Sequence, residues 1–72
     1  MKYYVNNELV NYRIFKHYLT RSIKYQTNFE LSDKEINYEY YGYYTDMKYN
    51  NTEITFKDKI SYRIEEELEN EK

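Results

Sequence analysis

The spacing of apolar positions changes along the chain. From residue 53 to 65 it has period two. Ile54, Phe56, Ile60, Tyr62 and Ile64 take one side, and Glu53, Thr55, Lys57, Lys59, Ser61, Arg63 and Glu65 the other. Such alternation predicts a strand with one buried face. Asp58 alone interrupts the apolar side. From residue 12 to 25 the spacing is helical. Phe15, Tyr18, Leu19 and Ile23 make one stripe, while Arg13, Lys16, His17, Arg21 and Lys24 fall largely opposite it. Asn11 stands at the N-cap position of this helix. Ahead of it, Tyr3-Tyr4-Val5 and Leu9-Val10 flank Asn6-Asn7. Asn tolerates positive φ, so the pair predicts a tight hairpin turn.

The middle of the chain admits two periods. Gln26-Thr27-Asn28 reads as a loop, and Phe29 and Leu31 alternate with Glu30 as a short extended segment. Ser32-Asp33-Lys34-Glu35 has the form of a capping box and opens a helical turn. Beyond it, a longer helix through Ile36, Tyr40 and Met47 fits by spacing. The tyrosine density and Gly42 favour a strand instead. In that reading Ile36, Tyr38 and Tyr40 alternate up to Gly42, and Tyr43, Thr45, Met47 and Tyr49 take over the phase beyond it. A phase switch at glycine is the signature of a β-bulge. With a turn at Asn50-Asn51, the bulged register sets Met47 opposite Ile54, Tyr38 opposite Tyr62 and Ile36 opposite Ile64. Asp58, opposite Tyr43, stays unexplained. The expected fold class is therefore α+β, in a ββαββ-like order. A short N-terminal β-hairpin leads to one amphipathic helix and a long bulged C-terminal β-hairpin, with the helix on one face of an antiparallel sheet.

Composition sharpens this picture. The chain has 72 residues, no cysteine, one histidine and 12 tyrosines. That length implies a single domain, 1–72, with a small core. It has neither disulfides nor an evident zinc ligand set to reinforce it. The stretch 65–72 reads as an acidic tail. No long apolar run or signal-like segment is evident, and cysteine is absent, so the expectation is a soluble cytoplasmic protein without a membrane segment. The Asn50-Asn51-Thr52 sequon reads as a turn. The bias toward Lys, Asn, Ile, Glu and Tyr suggests an AT-rich genome.

The chemistry-bearing residues form no catalytic set. His17 has no nucleophile partner, and a surface histidine is its ordinary explanation. Ser22, Ser32 and Ser61 lack a nucleophile context. One glycine cannot build a phosphate loop, and the carboxylates lack calcium-loop spacing. Neither enzyme activity nor a cofactor or metal is expected. Two binding chemistries remain. Arg13, Lys16, Arg21 and Lys24 give the helix a local positive charge. With nearby tyrosines they make a candidate single-stranded nucleic-acid surface. The net charge of −2 and the acidic tail weigh against it. Alternatively, 12 tyrosines exceed what so small a core can take in. Exposed tyrosine favours protein contact, and Tyr41 and Tyr44 are the aromatics the bulged register leaves outward. The unpaired edges of a long hairpin would also serve a homodimer or a self-assembling structural protein.

Tyr4-Val5-Asn6-Asn7, then Val10-Asn11, Phe15 and Leu19, resembles the opening of short phage and prophage accessory proteins of AT-rich bacteria. Those begin with a strand, an Asn-Gly turn, a strand and a capped helix. Some small anti-CRISPR proteins are similar in size, composition and lack of catalytic residues. Here Asn7 replaces the Gly and Asn11 the Ser cap, and no functional residue carries over. The resemblance implies a mobile-element protein that blocks a host protein or ribonucleoprotein complex. Acidic members present carboxylates where phosphates would lie. Glu65, Glu66, Glu67, Glu69 and Glu71 are the residues here for that role.

Overall fold

A computed structural model describes residues 1–66. Two strands, two helices and two further strands follow one another: β1 (Lys2–Val5), β2 (Glu8–Val10), α1 (Tyr12–Gln26), α2 (Asp33–Asn50), β3 (Ile54–Thr55) and β4 (Ser61–Glu65). The strands form one antiparallel sheet in the order β2-β1-β4-β3. Tyr3, Val5, Val10, Ile54, Tyr62 and Ile64 face the helices. Phe15, Leu19 and Ile23 from α1 meet Ile36, Tyr40 and Met47 from α2 above them. The α+β class and the N-terminal hairpin are as the sequence predicts. Asn6 and Asn7 both take positive φ, 53° and 69°, and Val5 pairs with Glu8 across that turn. Asn11 caps α1 as expected, its side chain accepting from the Ile14 amide at 2.9 Å.

The long bulged hairpin is not present, because residues 33–50 are helix. The capping box is complete: the Ser32 hydroxyl accepts from the Glu35 amide, and Glu35 accepts from the Ser32 amide at 2.8 Å. Instead of a single turn, it opens 18 residues. Ile36, Tyr40, Tyr43, Tyr44 and Met47 then fall on one side of α2 and reach the core. The strand reading fails for a specific reason. Tyrosine occupies so many positions between 38 and 49 that period two and period 3.6 both find apolar partners. The capping box marks where a helix starts but not how far it runs, and packing of Ile36, Tyr40 and Met47 into the core decides between the two periods. Gly42 marks no bulge. It lies inside the helix, without positive φ, and a Cβ there would meet nothing within 4 Å. Asn51, expected in a hairpin turn, instead ends α2 as its C-cap in the left-handed conformation, at φ 53°.

The second half of that expected hairpin is also divided. The alternating run 54–64 is two strands folded on each other, with Ile54 opposite Tyr62 and Thr55 opposite Ser61. Partners eight residues apart lie on the same face, so the alternation survives the turn. Asp58 breaks the pattern because it belongs to that turn, where its Oδ1 accepts from the Ile60 amide at 3.1 Å. Lys59 takes φ 70° beside it. Phe29 and Leu31 form no strand. Asn28 and Phe29 both have positive φ as the chain leaves α1, and Leu31 packs against the core. Glu65 is the last residue of β4 rather than the start of a tail.

Gly42→Ala exchanges a flexible residue for a helix former in open space. It should stabilise the fold by about 0.5–1 kcal/mol. A thermal melt should move upward by several degrees, roughly 4–8 °C per kcal/mol for a domain this size. A downward shift would contradict helix at this position.

Candidate functional site

Tyrosine is divided between inside and outside, and the inner set must be placed first. Buried Tyr40 and half-buried Tyr44 from α2 and half-buried Tyr3 from β1 form one cluster with Tyr12 from α1, whose ring is partly exposed. The hydroxyls of Tyr12 and Tyr40 lie 2.7 Å apart, and those of Tyr3 and Tyr44 3.1 Å apart. The Tyr3 and Tyr12 ring centroids are separated by 5.2 Å, those of Tyr40 and Tyr44 by 5.8 Å. The cluster continues through Phe15 to Tyr62 and Phe56. Tyr44, expected on the outer face, therefore points inward. Burial, reinforced by the hydrogen bond to Tyr12, holds the Tyr40 hydroxyl well above the usual tyrosine range. Burial and the bond to Tyr3 push Tyr44 up to about 12, against a smaller opposing effect of Lys48.

The outer face of α2 is also aromatic. Tyr38, Tyr41 and Tyr49 project from it with 79%, 64% and 71% of their surface exposed. Helical spacing places all three on the side opposite Tyr40 and Met47. Beside Tyr38, Gly42 leaves a shallow depression bordered also by Glu39, Tyr43 and Asp46. Tyr41 is thus exposed as expected. The strand reading hid its neighbours, Tyr38 and Tyr49. The spacing 38, 41, 49, read at 3.6 residues per turn, would have revealed them.

On α1 the structure brings the four predicted cations to one side. Arg13, Lys16, Arg21 and Lys24 border a broad concavity with Tyr12, His17 and Thr20. The helix contains no acidic residue. Among the described residues none of these four cations pairs with a carboxylate, and Lys16 stands 5.4 Å above the Tyr40 ring. Arg21 and Lys24 also border a second, more enclosed cleft of about 290 Å³ between α1 and the β3–β4 turn. Its walls are Tyr18, Tyr25, Phe29 and Ile60, and Ser22 and Asp58 also line it.

These two polar residues belong to a compact hydrogen-bond group. Ser22 is fully buried and donates to Asp58 Oδ2 at 2.6 Å. The Tyr62 hydroxyl lies 2.5 Å from Ser22 Oγ and 2.8 Å from the Tyr18 carbonyl. The serine proton is committed to Asp58, so Tyr62 shares its proton between the other two acceptors. Burial pushes Tyr62 up to about 12, with the Asp58 carboxylate adding to it and Ser22 and Arg21 opposing. Asp58, unexplained on a strand face, therefore ties the turn to α1. Phe29 is 70% exposed, with φ 59°. A bulky L-residue in this region costs about 1–2 kcal/mol, and the ring meets Tyr25 edge-on, with centroids 6.5 Å apart.

The carboxylates expected to act as phosphate mimics are placed only in part. Glu65 accepts from the Tyr4 hydroxyl at 3.1 Å and lies 3.9 Å from Arg63, whose guanidinium stacks 4.0 Å over Tyr4. Glu66 is exposed. Glu67, Glu69 and Glu71 lie outside the described residues. The hairpin edge expected to seed a homodimer is absent, since residues 36–49 are helical and the sheet's edge strands span three and two residues. Among the described residues no cluster of three or more His, Asp or Glu is placed to hold a metal ion. No helix there is long and apolar enough to cross a membrane.

Each raised tyrosine favours the protonated form in the fold. For Tyr44 and Tyr62 the stabilising contribution is complete below the ordinary value of 10.0 and is lost as pH rises toward about 12. Unfolding followed by circular dichroism should therefore begin above pH 10 and coincide with a cooperative rise in tyrosinate absorbance. Tyrosinate forming fully by pH 11 with the fold intact would show that the cluster is not shielded.

Comparison of the chain with protein-family models, with curated proteins and with solved structures finds no match.

Proposed function

We propose that this chain is a non-enzymatic protein-binding module and that the outer face of α2 is its contact surface. The supporting observation is the alignment of Tyr38, Tyr41 and Tyr49, each more than 60% exposed, on the side of α2 that the core does not use. A helix carrying aromatic residues on both faces fits burial on both faces. Tyrosine suits the outer role: it offers a large contact area for few rotatable bonds, and its hydroxyl remains compatible with water in the free state. The Gly42 depression adds a place for a partner's side chain beside Tyr38.

The resemblance of the first strands and helix to phage accessory proteins suggests what the partner is. It would be a host complex that handles nucleic acid, blocked in the manner of an anti-CRISPR protein. The aromatic face of α2 replaces Tyr44 in the expected contact set and retains Tyr41. Glu66 is available to the same partner, while Glu65 is already engaged by Tyr4 and Arg63.

The test compares the natural chain with a triple variant, Tyr38→Ser, Tyr41→Ser and Tyr49→Ser. Immobilised protein should retain a stoichiometric bacterial partner, and a CRISPR effector inhibited by the natural chain would identify the class. Loss of contact-centre aromatics costs 2 kcal/mol or more, so the variant should bind at least about 30-fold more weakly. Its thermal melt should stay close to that of the natural chain, because the substituted rings lie outside the core. Equal retention by both would overturn the assignment of α2. A concentration-dependent dimer abolished by the same changes would replace a foreign partner with a second copy.

A further inference from the structure

The α2 reading leaves the opposite chemistry of α1 without a role. Fold requirements account for only part of its cations: Lys24 lies in the last turn, where the helix dipole favours positive charge, and Lys16 lies over the Tyr40 ring. Arg13, Arg21 and Lys24 have no ion pair among the described residues, and Arg13 sits in the first turn, where the helix dipole disfavours positive charge. The chain as a whole carries 13 acidic and 11 basic residues, yet this helix carries no acid. Arg21 and Lys24 border both the open basic concavity and the enclosed aromatic cleft, so the two adjoin along α1. At the mouth of that cleft, Phe29 is held in a left-handed conformation with most of its ring exposed. This conformation lets the Phe29 amide donate to the Lys24 carbonyl at 2.8 Å and close the end of α1, and it leaves the ring beside the cleft.

We infer that α1 and the β3–β4 turn form a binding site for single-stranded nucleic acid, with phosphates along Arg13, Lys16, Arg21 and Lys24 and one base in the cleft between Tyr18, Tyr25 and Phe29. The basic row spans about 16 Å of helix, from Arg13 to Lys24, which suits a short backbone segment. The cleft is apolar on its walls and holds about 290 Å³, room for a flat ring. Its one carboxylate, Asp58, is an acceptor and excludes phosphate from the interior. The charged backbone therefore stays on the outer face, and a base amino group becomes the fitting donor to point inward. This site lies on α1 and does not depend on the α2 contact.

The probe is a fluorescein-labelled oligodeoxycytidylate, with an abasic oligomer of the same length as its control, and binding to the full chain is followed by anisotropy. The deoxycytidylate should bind at low salt. Its affinity should fall with a log–log salt slope of about −3, roughly 0.7 for each of four neutralised phosphates. It should bind about tenfold or more tighter than the abasic chain, as expected for one stacked base. Phe29→Ala and Tyr25→Ala alter exposed rings and should erase that difference without weakening abasic binding. Arg21→Gln should weaken both probes and make the salt slope shallower. No binding at low salt overturns the proposal. So does equal affinity for the two oligomers, which would reduce the face to unspecific charge. Equal binding of a labelled polyglutamate peptide would assign the surface to acidic chains in general and overturn it as well.

Discussion

A buried tyrosine is tolerated only if its hydroxyl finds a partner, and in this chain the partners are other hydroxyls. Tyr12 pairs with Tyr40, and Tyr3 with Tyr44. Tyr62 shares its proton between Ser22 and the Tyr18 carbonyl. An unpaired hydroxyl in these places would cost about 1–3 kcal/mol, a large share of the stability of so small a domain. The pairings also fix the geometry. Each joins residues distant in sequence, so β1, α1 and α2 are set in position by ring contact and hydrogen bond together. With no disulfide available, this aromatic group supplies much of the specificity that a larger aliphatic core would give.

The same residue type serves a second purpose once the inner positions are filled. On α2, Tyr40, Tyr43 and Tyr44 face inward and Tyr38, Tyr41 and Tyr49 outward. The helix is therefore a partition between a core that closes the molecule and a face that leaves it open. The basic side of α1 has a different chemistry, cationic and edged by an aromatic cleft.

Much of this was legible in the sequence where the signal was local. The Asn6-Asn7 turn, the Asn11 cap and the Ser32-Glu35 capping box each depend on a few neighbouring atoms, and each appears as read. Inward positions from Ile54 to Ile64 were legible as well, because alternation survives a hairpin whose partners are an even number of residues apart. The helix over 33–50 was not legible as such. Its aromatic positions satisfy two periods, and the choice between them rests on packing against α1 and β1 that no single segment contains. Reading Gly42 as a bulge followed from that choice, as did placing Tyr44 outside. The cleft could not be read, because Phe29, Asp58 and Arg21 come together only once the β3–β4 turn folds onto α1.

The middle of the sheet is built from opposite ends of the described chain, with Tyr3 facing Ile64 and Val5 facing Tyr62. Such a pairing closes a loop of about sixty residues, a cost in chain entropy that must be met before the central ladder yields any return. Neither helix has a complete floor to rest on until Tyr62 and Ile64 are in place. During synthesis, then, the helices have only the β1–β2 hairpin to dock on until β4 has emerged, and the central ladder can close only then.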